Sequence, residues 1–407
     1  MRIAHLIPYL GRAQGGPVFG LAACAKALAD SGCDVEILTV RRPADGELVT
    51  LPPNVRITAF DDSGRGSFRR CPALGRALLQ AGGDLIHSHG LWTDVHRLAA
   101  VLARQRGLPH LLAPCGMLAP GALRHHWWKK VPVRLWFQDR ALRDAQCLQA
   151  KSRHEYEHIR QYGLRNPVAV IPNPISLPCL ATGVSRADCR RFLQIPDKRK
   201  VVLFLGRLHP VKGLPRLLRA WGRVQSEKAE SGKQELARKP RDRGQKSDDW
   251  VLVLAGPDEG GQRKELEALV AELSCQDSVV FTGALNDDQK WAALAAADLF
   301  VMPSDFENFG NAIVEAMLSG LPVITTTGTP WKELPAAGAG WWIEPTVEAL
   351  ALALREALAM PEEKRCEMGR QALSYSARFR PETAAADLVA VYHWLLGRAE
   401  RPGCVVL

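Results

Sequence analysis

Several common signatures are missing from this 407-residue chain, and each absence excludes a class of protein. Its ten cysteines form no C-x-x-C pair, which argues against a structural zinc site or a disulfide framework and favours a reducing compartment. No stretch approaches ~18 uninterrupted apolar residues, so no membrane-spanning helix is expected. The apolar start, Met1–Pro8, is too short for a signal peptide. We therefore expect a cytoplasmic protein.

The composition is that of a globular protein, with 47% hydrophobic and 24% charged residues. A chain of this length suits two α/β domains of roughly 150–200 residues each. The formal net charge of +10 favours acidic partners such as a nucleotide diphosphate or an anionic lipid surface. No Lys/Arg block and no zinc-finger spacing is present, so nucleic-acid binding is not expected.

Short apolar runs alternate with helical patterns, which predicts right-handed βαβ units and mostly parallel sheets. The predicted strands are Arg2–Ile7, Val35–Val40, Val55–Phe60, Asp84–His87, His110–Ala113, Ala145–Gln149, Val168–Ile171, Lys200–Leu205, Trp250–Leu254, Ser278–Phe281, Leu299–Met302, Pro322–Thr325 and Trp341–Ile343.

A proline-rich passage, Ile171–Pro178, interrupts this alternation and predicts the domain boundary. The predicted organisation is an N-terminal Rossmann-like domain over 1–175, a second over 176–380, and a C-terminal helix and tail over 381–407. We expect that helix to pack back on the N-terminal domain. Residues 226–249 carry mixed charge and almost no apolar side chains, so we expect a disordered insertion there. Two such sheets facing each other would form a central cleft beyond their strand ends.

The passage from Gly206 to Gly213 places two cations in the turn that follows an apolar strand. Arg207 and Lys212 could both reach a point above the strand end, where a diphosphate would fit. Arg supplies a planar bidentate fork and Lys a compact charge, a pair suited to a pyrophosphate. The alternative is that both are solvated loop cations.

A second passage, Met302–Ala316, leads from a strand through a short loop into a helix. A helix N-terminus presents unpaired N–H groups to an anion, and Glu307 lies just outside it. Glu315 lies about a turn and a half inside. Alternatively, Glu307 only complements the helix dipole, Glu315 faces solvent, and the neighbouring asparagines are caps.

The spacing of Glu307 and Glu315 resembles the E-x7-E signature of group 1 retaining glycosyltransferases, which have the two-domain GT-B fold. Residues 307–325 match that motif without a gap, and the motifs at 206–213, 254–261 and 281–285 occur in the expected order. The resemblance covers nearly the whole chain. The passages at 329–334 and 340–342 resemble a branch that acts in cell-surface polysaccharide and glycolipid assembly.

This resemblance implies a role for each residue of the predicted donor site. Arg207 and Lys212 would neutralise the diphosphate of a nucleoside-diphosphate sugar, Glu307 would bind hydroxyls of the transferred sugar, and Glu315 would hold the ribose. The backbone at the helix start, formed by Asn308, Phe309, Gly310 and Asn311, would contact sugar or phosphate. The turn at Gly283 and Leu285 would lie near the base, and the N-terminal loop with Gly15 and Gly16 would face the phosphates.

The family reaction retains the anomeric configuration and needs neither a divalent metal nor another cofactor. The sequence is consistent with this, since it contains no Asp-x-Asp metal loop and no dinucleotide-type G-x-G-x-x-G. The expected partners are a sugar nucleotide and a glycan or glycolipid acceptor.

The predicted acceptor side contains one departure from the family pattern. The passage Pro114–Leu118 resembles the family's Pro-His-Gly-Met-Leu, but Cys115 stands where the histidine is expected. Cysteine cannot donate a comparable charged hydrogen bond, so His89 or His110 substitutes, acceptor chemistry differs, or activity is reduced. His87 and His89 end a strand and could contact the acceptor, although a structural role is equally compatible with the sequence.

Basic and aromatic residues interleave from Arg124 to Arg140. This pattern would suit peripheral contact with an anionic membrane or a lipid-linked acceptor. We favour the alternative, a helix pair that packs Trp127, Trp136 and Phe137 into the core, because aromatic stripes at helical spacing usually face a core.

The sequence therefore predicts a retaining hexosyltransferase that acts on a glycan or a lipid-linked glycan. Two other functions remain open. A related GT-B enzyme could epimerise or phosphorolyse sugars without an acceptor, and a catalytically impaired chain could serve as a sugar-nucleotide-binding subunit. Cys115 motivates the second, whereas the intact set of Arg207, Lys212, Glu307 and Glu315 argues against it.

Overall fold

A computed structural model describes most of the chain. The described residues are 1–11, 16–42, 46–62, 66, 68–80, 83–176, 186–192, 199–238 and 250–407. Contacts between residues divide the chain into two compact units. Unit 1 comprises Met1–Ser176 together with Arg378–Leu407, and unit 2 comprises Leu177–Ala377.

Unit 1 contains an eight-stranded sheet. Its strands are β1 (Arg2–Ile7), β2 (Asp34–Arg41), β3 (Val55–Asp61), β4 (Leu85–His89), β5 (His110–Ala113), β6 (Cys147–Ala150), β7 (Val168–Val170) and β14 (Val405–Val406). The order across the sheet is β14-β7-β6-β5-β4-β1-β2-β3. All neighbours are parallel except β14 and β7, which are antiparallel.

Helices connect the strands of unit 1 and pack on its sheet. They are α1 (Gly16–Asp30), α2 (Pro72–Gln80), α3 (Asp94–Arg106), α4 (Pro120–Arg124), α5 (Trp127–Val133), a π-helix (Arg134–Gln138), α6 (Asp139–Asp144), α7 (Arg153–Gln161) and α15 (Pro381–Leu395). The C-terminal helix α15 packs beside α1 through a shared core that includes Leu388 and Tyr392.

Unit 2 contains a six-stranded parallel sheet. Its strands are β8 (Lys200–Leu205), β9 (Trp250–Ala255), β10 (Val279–Gly283), β11 (Leu299–Met302), β12 (Val323–Thr326) and β13 (Gly340–Ile343). The order across this sheet is β10-β9-β8-β11-β12-β13. The helices are α8 (Arg186–Phe192), α9 (Leu214–Arg238), α10 (Gln262–Glu272), α11 (Asp287–Ala296), α12 (Asn311–Leu318), α13 (Val347–Ala359) and α14 (Glu362–Ser376), with 3-10 turns at Pro210–Lys212 and Gln276–Ser278. A further 3-10 turn, Ala377–Phe379, spans the boundary between the two units.

All thirteen predicted strands are present, with ends that differ by at most a few residues. Central strands such as β9 are apolar along their whole length because helices cover both faces of a parallel sheet. β14 was not predicted. Its two residues are too short to produce a periodic pattern, and its antiparallel pairing with β7 depends on the return of the chain to unit 1.

The structure differs from two sequence-based expectations. α9 continues to Arg238, so residues 226–238 of the predicted disordered insertion are helical. Ala, Glu, Lys, Gln and Leu are good helix formers, and a helix already anchored by its first turns extends at little cost. Residues 239–249 lie outside the described part of the chain.

The second correction concerns the aromatic segment of unit 1. Trp127 and Trp136 face solvent and Phe137 is half-buried, so the expected packing of this stripe into the core is wrong. The core beneath the segment is filled instead by smaller residues of the next turns, Ala141 and Leu142. In the described residues no helix is both long and apolar enough to cross a bilayer.

Candidate functional site

Each sheet has a point at which the order of its strands reverses direction. In unit 2 the chain runs from β8 outward to β9 and β10, then returns to β11 on the other side of β8. Ligands of open α/β sheets bind beyond the carboxyl ends of the strands at such a switch point. The loops that follow β8 and β11 carry Lys212 and Glu307, so both predicted motifs lie there.

The two loops of unit 2 are bonded to each other. Asp305 N donates to Val211 O at 2.8 Å, and the guanidinium of Arg216 donates to Pro303 O at 3.2 Å. Gly213 has φ +67°, and a Cβ there would lie 2.2 Å from Pro303 O. The β8 loop can therefore approach the β11 loop this closely only with glycine at this position.

Lys212 and Glu307 meet where these loops touch. Lys212 Nζ donates to Glu307 Oε1, and Ser304 Oγ donates to the same oxygen at 3.0 Å. Both charged side chains are largely buried, with 13% and 14% of their surface exposed. The carboxylate is held from its backbone as well, because Glu307 N donates to Gly328 O at 2.9 Å. The structure thus brings together two of the three predicted catalytic residues.

Arg207, the third predicted catalytic residue, has a different partner. Its guanidinium lies 2.5 Å from Glu259 Oε2, and both side chains are about half exposed. Exposed ion pairs contribute little to stability, typically ~0–1 kcal/mol. An incoming anion can therefore draw Arg207 away from Glu259 at low cost.

The start of α12 supplies backbone donors beside this pair. Gly310 is the N-cap and has φ +83°, and Asn311 is the first helical residue. Phe309 is buried with its ring centroid 5.4 Å from that of Trp331, and its carbonyl accepts a hydrogen bond from Trp331 Nε1 at 2.6 Å. Asn308 lies in the loop between Glu307 and this anchor. The backbone N–H groups at a helix start favour an anion, and the buried aromatic pair anchors the loop that leads into this one.

Glu315 extends from α12 to a cation that the sequence analysis missed. Lys290 Nζ, on α11, donates to Glu315 Oε1 at 2.8 Å. α11 follows the turn at Gly283 and Leu285, which ends β10 and was predicted to lie near the base. Lys290 could have been found from its place in the sequence, because it lies in the first helical turn after this loop. Glu259 and Ser304 were missed too, since neither belongs to the E-x7-E pattern.

The switch point of unit 1 lies between β1 and β4 and is lined by histidines. His5 and His87 are register partners on these strands, and His89 follows on the same face as His87. His5 Nδ1 lies 3.0 Å from His89 Nε2. His87 is bonded through Nδ1 to Tyr392 Oη at 2.8 Å and through Nε2 to Gln149 Oε1 at 3.0 Å. His5 was not predicted from the sequence, because its role depends on which strand pairs with β1.

These imidazoles are neutral at physiological pH. Burial lowers the pKa of His5 to about 3. Burial first, then the neighbouring histidines and Lys151, lower the pKa values of His87 and His89 well below the ordinary value. The ring nitrogens of the three residues lie within 4.8 Å of one another, close enough to share a metal ion. Both nitrogens of His87 are already engaged, so binding of a metal would break a hydrogen bond to Tyr392 or Gln149.

Cys115 lies in the loop after β5, on the same side of the unit 1 sheet as the end of β4. It has φ +54°, and its thiol donates to Ala113 O at 3.4 Å. Burial raises the pKa of this thiol to about 11, so it is protonated and not nucleophilic. Of the predicted glycine loop, Gly16 is the first residue of α1, whereas Gly15 lies outside the described residues.

Two protein families account for most of the chain. The family described as "Glycosyl transferases group 1" matches residues 185–374. The family described as "Glycosyl transferase 4-like domain" matches residues 15–174. The first match contains the ion-paired loops of unit 2. The second contains His87, His89 and Cys115 but begins after His5.

Curated relatives cover both units. The chain is 26% identical to a D-inositol 3-phosphate glycosyltransferase of Streptomyces scabiei, over 95% of this chain and 87% of the relative. It is 28% identical to a D-inositol 3-phosphate glycosyltransferase of Stackebrandtia nassauensis, over 95% and 88% of the two chains.

Solved structures share the fold of this chain. Sucrose-phosphate synthase from Thermosynechococcus elongatus superposes with a TM-score of 0.73 at 22% identity, over 98% of this chain and all of the other. HepE from Anabaena, in complex with UDP and glucose, superposes with a TM-score of 0.72 at 22% identity, over 96% and 99% of the two chains. With both family matches in sequence order and this shared fold, the chain belongs to the group 1 glycosyltransferases, which are transferases of the GT-B fold.

Proposed function

We propose that this enzyme transfers a hexosyl unit, with retention of configuration, from a nucleoside-diphosphate sugar to a glycan or lipid-linked glycan. The setting is the assembly of cell-surface polysaccharide on the cytoplasmic side, without a divalent metal or another cofactor. The observation that carries the proposal is the contact of Lys212 with Glu307 at the switch point of unit 2, beside the start of α12.

The chemistry of the reaction explains this set of residues. As the glycosidic bond breaks, positive charge develops on the sugar and negative charge on the departing phosphate. Lys212, Arg207 and the α12 N–H groups would stabilise that phosphate, and donors fixed in advance lower the barrier most. When the diphosphate engages Lys212, Glu307 is released from it and can accept hydrogen bonds from sugar hydroxyls. Ser304 keeps the carboxylate in place during this exchange.

The rest of the donor would lie along α12 and the end of β10. Glu315 would bind the ribose hydroxyls, positioned by Lys290, and the turn at Gly283 and Leu285 would flank the base. Gly15 and Gly16 would approach the phosphates. HepE is described in complex with UDP and glucose, so UDP-glucose is the first donor to test.

The acceptor would bind to unit 1, where His89 and Cys115 flank the ends of β4 and β5. His89 is neutral and buried, and its carbonyl accepts from His96 Nε2 at 2.9 Å, so it would orient an acceptor hydroxyl rather than supply a charge. The curated relatives are named for D-inositol 3-phosphate. An acceptor panel should therefore include a phosphorylated cyclitol beside glycans and lipid-linked glycans.

A thermal-shift screen with UDP-, GDP- and ADP-sugars tests the donor assignment. Ligand at about 100 times its Kd stabilises the folded state by ~2.7 kcal/mol, so the preferred nucleotide will raise Tm clearly. Glu307→Ala should lose the extra stabilisation given by the sugar and keep that given by the nucleoside diphosphate alone. Glu356→Ala, an exposed glutamate on α13, is the matched control.

The same screen separates the competing functions. The role assigned to Glu307 is wrong if Glu307→Ala abolishes the stabilisation given by the sugar nucleotide and also that given by the nucleoside diphosphate alone. It is equally wrong if the variant keeps both in full. Donor binding without transfer to any acceptor would indicate an impaired binding subunit. Turnover of the sugar nucleotide without an acceptor and without hydrolysis would indicate an epimerase, and phosphate-dependent glucan cleavage a phosphorylase.

A further inference from the structure

A patch of large apolar side chains faces solvent on unit 1. It consists of Trp127, Trp128, Val131, Leu135 and Trp136, here called the aromatic surface. The three tryptophans are 62%, 59% and 64% exposed in that order, and Leu135 is 82% exposed. Single exposed apolar residues are ordinary on protein surfaces, but a contiguous group of this kind marks an interaction site.

The aromatic surface is one face of a continuous helical run. α5, the π-helix and α6 follow one another without a break from Trp127 to Asp144. Along this run Trp127, Val131 and Leu135 recur at steps of four, so they lie on one side of the helix. Gln138 and Leu142, both fully buried, pack inward. The run therefore presents apolar side chains to solvent on one side while its last turns pack on the core.

The helical run that carries this surface is held in place by the rest of unit 1. Gln138 Oε1 accepts a hydrogen bond from Trp92 N at 2.8 Å, which joins the π-helix to the loop after β4. The Trp136 ring stacks on Phe68 with a centroid separation of 5.8 Å. Lys130 Nζ donates to His125 O at 2.7 Å and fixes the turn between α4 and α5.

The segment that carries the aromatic surface has an excess of positive charge. The segment from Arg124 to Arg140 contains five Lys and Arg residues and one acidic residue, Asp139. Lys129 is exposed, and its Nζ lies 5.0 Å from the centroid of the Trp128 ring. A second copy of this chain would present the same excess of positive charge, so self-association through this face is disfavoured by repulsion. An anionic, planar and partly apolar surface complements it.

We propose that the aromatic surface docks on the interface of an anionic lipid bilayer. Trp127, Trp128 and Leu135 enter the boundary between headgroups and acyl chains, where tryptophan partitions well, and Lys129 lies at the level of the anionic headgroups. The run belongs to the crossover from β5 to β6, and α4 begins five residues after Cys115. Docking would therefore bring the proposed acceptor side of unit 1 close to lipid.

Flotation of the full chain with vesicles tests this proposal. We expect binding to phosphatidylcholine vesicles that contain phosphatidylglycerol, weakened by added salt, and little binding to phosphatidylcholine alone. The double variant Trp127→Ser/Trp128→Ser should reduce the apparent vesicle-binding constant by about tenfold or more. Lys129→Gln should reduce it by about fivefold.

Matched variants on unit 2 provide the controls. Leu352→Ser removes a leucine that is 62% exposed on α13, and Lys364→Gln removes an exposed lysine on α14; both should bind vesicles like the parent chain. Equal binding to neutral and anionic vesicles would overturn the proposal, as would full binding by the double tryptophan variant. The proposal would also be overturned if the parent chain did not bind vesicles and instead formed an oligomer that the double variant dissociates. Tm shifts with sugar nucleotide, measured on the same variants, report the donor site separately.

Discussion

The switch points of the two sheets have the same topology and opposite electrostatics. In unit 1, β1 and β4 carry neutral histidines, buried and hydrogen-bonded to one another and to Tyr392. In unit 2, the loops beyond β8 and β11 carry the ion pair of Lys212 and Glu307. The same edge of an α/β sheet can thus serve either as a polar but uncharged surface or as a charged one.

The difference follows from where the polar residues lie along the chain. The unit 1 histidines are strand residues, and a strand covered on both faces cannot hold a charge without a partner, so the imidazoles are deprotonated. Lys212 and Glu307 lie well beyond the ends of their strands, and each is the charged partner of the other. Unit 2 is therefore the part suited to a diphosphate, and unit 1 the part suited to an uncharged hydroxyl.

The largest expected effect comes from removing the buried cation of unit 2. Lys212→Ala should lower kcat for transfer by about a hundred- to a thousandfold, because one preorganised charge on the departing phosphate is lost. Steady-state kinetics with the donor selected by thermal shift measure this. Lys264→Ala, on the exposed side of α10, is the control. An undiminished kcat in Lys212→Ala would contradict the claim that unit 2 supplies the charge for the departing phosphate.

Acid should destabilise unit 1 through its neutral histidines. His110 is bonded to Ser88 Oγ at 2.8 Å, and burial lowers its pKa to about 4. The unfolded chain takes up a proton near pH 6.5 while the folded chain does not until about pH 4, so stability is complete above pH 6.5 and falls between these values. This single group should account for about 3 kcal/mol across that window.

The variant His110→Gln tests this origin of the acid sensitivity. Its unfolding free energy should change less between pH 6.5 and 4 than that of the parent chain, as measured by urea unfolding. The exposed His125→Gln variant is the control. An unchanged pH dependence in His110→Gln would show that His110 does not titrate as its burial requires.

The close approach of the two unit 2 loops should depend on Gly213. Gly213→Ala forces a Cβ to within 2.2 Å of Pro303 O at φ +67°, and we expect a loss of about 1–3 kcal/mol with weaker donor binding. Gly397 has φ +68° and open space around its Cβ position. Gly397→Ala should therefore cost about 1 kcal/mol and leave donor binding unchanged. Equal costs for both variants, from denaturant midpoints, would contradict the steric argument.

The smallest expected effect concerns the acceptor. Cys115→His restores the residue of the family pattern at a position with φ +54°, a region that histidine tolerates better than most residues. We expect a change of about tenfold or less in rate, or a change in acceptor range, because an imidazole donates a stronger hydrogen bond than a thiol. Identical acceptor profiles for both enzymes would show that Cys115 does not handle the acceptor.

The fold could be predicted from the sequence because β8, β9 and the other central strands are continuous apolar runs. Individual contacts could not. Lys212 and Glu307 are separated by 95 residues, and their contact depends on β8 lying beside β11. The partnership of His5 with His89 depends in the same way on β1 lying beside β4. The helical periodicity of the aromatic segment was visible, but periodicity does not reveal which side of a helix faces the core.

Hydrogen–deuterium exchange with and without UDP tests the central claim most directly, because it locates the bound diphosphate along the chain. The account predicts slowed exchange in the loops after β8 and β11, through Lys212 and from Ser304 to Asn311. It predicts unchanged exchange in β1 and β4 around His5 and His89. Protection confined to the histidine strands, with the unit 2 loops unchanged, would contradict it.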